Sequence, residues 1–186
     1  RRYFATNTLT QFDSDGWQTT NPGTGTRYRW IGGSGNWSDA AHWFQIPGGP
    51  NGCIPGPRDT VLFDALSGFL PAGDTLTIDV DAYFHQMDWT GATNNPHLAI
   101  RRNLYTDGDI TLTAAMTASR FSITEAVYFL PTGNKCNFNA AGVTLPANVI
   151  FEGETINDTL NITGTLDLDT TGVLVLREGT LITNGN

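Results

Sequence analysis

From Thr60 onward the chain alternates short runs of apolar and β-branched residues with polar turn residues. TVLFD, TLTIDVD, FHQMDW, HLAI, DITLTA, RFSITEAVYFL, CNFNAAGVTL, ANVIFEG, TLNITGTLDLD and VLVLREGTLIT each read as a strand. Val, Ile, Thr and aromatic side chains suit a pleated, half-buried surface. Between the runs stand Gly73, Gly91, Asn94, Asn95, Asp107, Gly108, Gly133, Asn134, Gly153 and Gly172, all residues that turn a chain at low cost. Alternation is clearest between Leu160 and Leu168. Leu160, Ile162, Gly164, Leu166 and Leu168 fall on one side, and Asn161, Thr163, Thr165 and Asp167 on the other, as the two-residue period of an extended chain requires. No segment after Trp43 carries a capped 3.6-residue period, and the Thr, Asn and Asp content works against helices. The expected fold class is all-β.

Two architectures fit. A β-sandwich needs turn signals every ~8–12 residues, and the chain has them. A β-solenoid needs recurring rungs. DGDITL, AAGVTL, ITGTLDL and REGTLIT each place a glycine, Gly108, Gly142, Gly164 or Gly179, just before a β-forming triplet. Their spacing is irregular, as rungs carrying loops of unequal length would give. The solenoid is the expected fold, because the last strands use Leu, Ile and Val with Thr and Asn at the corners; the sandwich is the alternative.

Upstream the pattern changes. Residues 27–64, RYRWIGGSGNWSDAAHWFQIPGGPNGCIPGPRDTVLFD, hold three tryptophans among many glycines. Glycine at that density opposes a helix or a long strand, since it loses the most backbone entropy on ordering. The segment is expected to be a cap held by the buried rings of Trp30, Trp37 and Trp43 rather than by a ladder, closing one end of the stack. Ser38 and Asp39 offer N-caps for one helical turn at 39–43. The organisation is then a lead-in strand and connector at 1–26, the cap at 27–64 and a β-repeat region at 65–186, within one structural domain.

The 186 residues suffice for a real core, and the net charge is −8 with only 10 Lys plus Arg. A nucleic-acid partner needs a basic stripe, so none is expected. Membrane insertion is not expected either, because no apolar run approaches the ~20 residues a spanning helix needs. Charged residues make up 15%, with Thr, Asn and Gly in their place, a composition typical of exported β-proteins. The two cysteines, Cys53 and Cys136, lie outside any zinc-type spacing. A disulfide between them and two separate thiols are both open.

Catalytic chemistry has thin support. Asp107 with Asp109, and Asp79 with Asp81, are i, i+2 pairs able to share a strand face, and glycoside hydrolysis uses two carboxylates ~5–9 Å apart. His42, His85 and His97 lie in different segments, and no nucleophile pattern accompanies them. A solvated turn and an outward strand face explain both pairs. The chain is therefore expected not to be an enzyme. Asp13 and Asp15, in DSDG, resemble the opening of a calcium loop without its later ligands. The expectation is no cofactor, with a structural calcium there as the alternative. The cap tryptophans offer a sugar platform only if their faces are exposed.

The strings GGSGNWSDAAHW, CIPGPRDTVLFDA and LTIDVDAYFHQMDWTGATNNPHL resemble the secreted, adhesin-like β-repeat proteins of the Bacteroidota that leave the cell by type IX secretion. The resemblance covers residues 28–98 and continues more loosely to GTLITNGN. It departs at Phe84, where the family often has a cysteine. What the resemblance implies is an extracellular, cell-surface location and a structural or adhesive role in a surface protein or fibre. The implied partners are other copies of the chain, further repeats of a longer one, or surface glycans. The alternative is a carbohydrate-active enzyme or a sugar-binding accessory module. Asp59-Thr60-Val61, Asp74-Thr75-Leu76 and Asp158-Thr159-Leu160 resemble the Asp-Thr-aliphatic acceptor of exported proteins of that group, which implies O-glycosylation at Thr60, Thr75 and Thr159. The triplets at Asn36, Asn157 and Asn161 presuppose a different glycosylation system. The apolar strands around Val173–Ile182 show no closing helix or proline and only one basic residue, Arg177, to blunt an edge. They are expected to be covered by further repeats of a longer chain, by the N-terminal strand around Tyr3–Leu9 of the same chain, or by the N-terminus of the next subunit.

Overall fold

A computed structural model describes residues 25–50, 52–133 and 135–184. The lead-in strand and Asp13 and Asp15 lie outside these residues. The chain is an all-β solenoid of about five turns. Strands β1 (Arg27–Trp30), β2 (Gly35–Asn36) and β3 (Trp43–Ile46) belong to the cap. The first coil is β4 (Thr60–Leu62), β5 (Thr75–Ile78) and β6 (Ala82–Phe84). The second is β7 (Gln86–Asp88), β8 (His97–Ile100) and β9 (Leu104–Thr106), and the third β10 (Ile110–Thr111), β11 (Thr117–Arg120) and β12 (Ala126–Phe129). The fourth is β13 (Lys135–Asn139), β14 (Thr144–Leu145) and β15 (Asn148–Glu152). The fifth is β16 (Thr159–Thr163), β17 (Asp167–Leu168) and β18 (Leu174–Glu178), after which β19 (Thr180–Ile182) returns to the first face. Every pairing between coils is parallel. A sandwich, which is built from antiparallel hairpins, is thereby excluded.

The register explains the apolar pattern. On the first face Tyr28, Val61, Met87, Ile110, Phe138 and Ile162 stack one above another, all buried. On the third face Ala82, Leu104, Val127 and Val149 do the same. Burying each such aliphatic side chain contributes about 1.5–3 kcal/mol. The intervening residues point outward, so Tyr83, Tyr105 and Tyr128 form a ladder of near-parallel rings with centroids 4.8 Å apart, one strand spacing.

Several strand readings need correction, because corners fall inside them. Gly164, at φ 73°, turns the chain between β16 and β17, so Leu160–Leu168 is two strands on two faces. Asn161 is buried along with Leu160 and Ile162. FHQMDW likewise breaks at His85. The four rung glycines mark two different corners: Gly108 and Gly179 precede first-face strands, and Gly142 and Gly164 precede second-face strands. That is why their spacing looked irregular.

The cap also differs from expectation, because it is held by ladders as well as rings. β1 pairs antiparallel with β3 and parallel with β4, and β2 pairs with β5. The helical turn is a 3-10 helix at Ala40–His42, capped by Asp39, whose carboxylate accepts from the Ala41 N–H. Ser38 bonds Asp79 instead. Trp30, Trp37 and Trp43 are fully buried. Trp43 lies edge-on to the other two, 5.1 Å from Trp30 and 4.7 Å from Trp37, and the ring of His42 stacks on Trp30 at 4.4 Å. With the ring faces covered, these tryptophans are no platform for sugar.

Candidate functional site

The corner from the third face to the first is turned differently in successive coils. His85 alone turns it between β6 and β7, and Asp107, Gly108 and Asp109 turn it between β9 and β10. β12 and β13 are joined by a longer loop, and Lys135 opens β13. Stacking these corners creates a cleft of about 350 Å³ lined by His85, Gln86, Asp107, Gly108, Asp109 and Lys135. Nδ1 of His85 and Oδ1 of Asp107 lie 2.7 Å apart, with the two side chains 50% and 40% exposed. Nε2 of His85 has no hydrogen-bond partner among the described residues.

The support beneath this pair is backbone and a buried hydroxyl. Thr106 points inward in a column that otherwise holds Phe84, Phe129 and Phe151. Its Oγ1 donates to the His85 carbonyl at 2.8 Å and accepts from the Gly108 N–H at 3.0 Å. A Cβ at Gly108 would sit 2.3 Å from that carbonyl oxygen and 2.9 Å from the imidazole, so only glycine lets the two corners meet. Asp109 is fixed separately. Its Oδ1 accepts from the N–H (2.7 Å) and the Nδ2 (3.0 Å) of Asn137. The amide ladder continues as Asn161 donates to Asn137 at 2.9 Å and Asn184 to Asn161 at 2.6 Å.

One coil of register is thus what brings His85 to Asp107, 22 residues apart. The sequence treats Asp107 and Asp109 as a pair with no histidine nearby, and the stacked corners overturn that. The recurrence of Tyr83, Tyr105 and Tyr128 marks the coil length and is the one signal in the sequence that could have pointed to it. Asp79 and Asp81 stay outside the cleft, bonded to Ser38 and to the Asn103 N–H. His42 is packed in the cap, and His97 bonds Thr117 and Ser119. Among the described residues no group of three or more His, Cys, Asp or Glu is arranged to hold a metal ion.

The three Asp-Thr-aliphatic triplets occupy one kind of place. Val61, Leu76 and Leu160 are buried, and the threonines before them face outward, half-buried. Each aspartate closes a turn, Asp59 accepting from Gly56 N–H, Asp74 from Leu70 N–H and Asp158 from Thr155 N–H. The Ser34 hydroxyl, then that Leu70 N–H, hold the Asp74 carboxyl below its ordinary value. Of the two readings left open for the cysteines, the structure has two thiols: Cys53 is exposed and Cys136 is buried inside β13. Burial, and then the charges of Asp109, Asp107 and Asp158, push the Cys136 thiol up to about 12. No known protein family, no curated protein and no solved structure matches this chain.

Proposed function

We propose that the chain is a non-catalytic structural or adhesive module of an extracellular bacterial surface protein or fibre, assembled end to end. The observation that carries this reading is the asymmetry of the stack. At the cap end β2, β3 and β6 are also edge strands, but the large side chains there, Trp30, Trp37, Trp43 and Phe84, are fully buried. At the other, β17, β18 and β19 each pair on one side only among the described residues, and Val173, Leu176 and Ile182 are exposed there. Unpaired N–H and C=O groups beside exposed apolar side chains invite another strand, from further repeats of a longer chain or from a second copy. The resemblance of residues 28–98 to secreted Bacteroidota β-repeat proteins supports the surface location. Glycosylation at Thr60, Thr75 and Thr159 belongs to the same reading. Antibody against the chain should label intact cells of the organism that makes it, and added protease should remove the label. Label that appears only after permeabilisation contradicts the reading. The intact mass of native protein should exceed that of the polypeptide, and an unmodified mass rules out the glycosylation.

One observation favours a second reading, a carbohydrate-active module. The cleft clusters His85, Asp107, Asp109 and Lys135. Asp107 is occupied by His85, however, and Asp109 by Asn137, so neither stands as an uncommitted acid or nucleophile.

A further inference from the structure

The open groups of the cleft are Nε2 of His85, the carboxylate oxygens that Asp107 and Asp109 do not give to His85 and Asn137, the Lys135 ammonium and the Gln86 amide. They are donors and acceptors in close alternation, with little apolar wall. Two of them are held in place before any ligand arrives: the imidazole by Asp107, and the Asp109 carboxylate by two donors of Asn137. Groups fixed in advance lose less entropy on binding.

Charge narrows the ligand class. Two carboxylates face one ammonium, on a chain of net charge −8, which disfavours polyanions. Lys135 within the cleft disfavours a free cation. What remains is a neutral molecule that donates and accepts through neighbouring atoms, and vicinal hydroxyls do this, donating together to one carboxylate while accepting from imidazole or ammonium. The size agrees, since clefts that enclose small ligands start at about 300 Å³. Tyr83 and Tyr105 stand two residues upstream of His85 and Asp107 on the outward side of the third face, about 7 Å away along the strand. Their stacked rings face one another and the Tyr105 hydroxyl accepts from Asn103, so they offer ring edges to a longer chain rather than a stacking platform.

We propose that this cleft binds neutral saccharide, with His85, Asp109 and Lys135 as direct hydrogen-bonding residues and Asp107 as the positioning residue for the imidazole. This rests on the adhesive reading and names its ligand and its site. It assigns binding and no bond cleavage.

The test is a titration of the full isotope-labelled chain, followed by two-dimensional NMR. The probes are cello-, xylo- and mannohexaose, with hexagalacturonate and hexalysine as the acidic and basic alternatives. At least one neutral hexasaccharide should shift the signals of residues 85, 86, 107–109 and 135. His85→Ala and Asp109→Asn should each weaken that binding by about tenfold or more, with unchanged thermal unfolding. If Asp109→Asn disturbs folding through Asn137, Lys135→Ala, at an exposed side chain, carries the same expectation. Shifts from hexagalacturonate or hexalysine alone, shifts mapping elsewhere, no shift from any neutral probe, or variants that bind like the parent would each overturn the proposal. Each of those results leaves the surface label on intact cells untouched, so this site and the surface role fail separately.

Discussion

Gly108 shows what a single residue does here. Its missing Cβ lets the corner of one coil settle on the carbonyl of the coil below, which sets His85 and Asp107 at bonding distance. Gly108→Ala forces the two corners apart, and overpacking of this kind typically costs 1–3 kcal/mol. Urea unfolding should show that loss, and the His85 ring signals should move with it. A variant as stable as the parent, with its imidazole signals in place, contradicts the stacking at this corner. Cys136 makes a second residue-scale case. An ordinary thiol ionises near 9.0, whereas burial holds this one up to about 12. The folded protein therefore keeps its proton after the unfolded chain has lost it. The contribution to stability is complete below pH 9.0 and is lost progressively towards pH 12. Cys136→Ala should flatten that alkaline decline, and identical slopes for the two proteins count against it. A thiol reagent at neutral pH should modify Cys53 first and Cys136 only on unfolding.

Among the elements, the cap and the coils divide the stabilising work differently. The coils are held by columns of like side chains, and the cap by edge-on aromatic contacts around Trp43. Trp37→Ala should cost ~3–5 kcal/mol, as other large aromatic truncations do, read as a fall in the urea midpoint; an unchanged midpoint refutes the buried cap. The second face shows the cost of leaving the pattern. Arg120 takes the inward place above Ile78 and Ile100, its side chain only 7% exposed, and reaches Asp169 at 3.2 Å. The sheet stops at β11 and resumes as the pair β14 and β17. Elements were legible in the sequence where alternation held within one face, as at Thr75–Ile78. Boundaries were not, because a solenoid corner needs only one residue. His85, and Gly164 between β16 and β17, interrupt no apolar pattern. The cap ladders escaped notice because glycine density argues against strands, and a two-residue strand such as β2 leaves no period. The His85–Asp107 contact could not be read at all without the coil length, since corners of different coils meet only through register.

On the scale of the whole molecule, the stack has edge strands at both ends among its described residues, with Val173, Leu176 and Ile182 exposed at the last coil, and the account turns on what that edge does. Sedimentation velocity of the full chain over a range of concentrations, with negative-stain electron microscopy of the same samples, tests this most directly. Association should rise with concentration, and the particles should lengthen in one direction only. Ile182→Asp, which puts a charge on the exposed side of β19, should return the protein to single particles. A parent chain that sediments as one monomeric species at every concentration, indistinguishable from Ile182→Asp, would contradict the account.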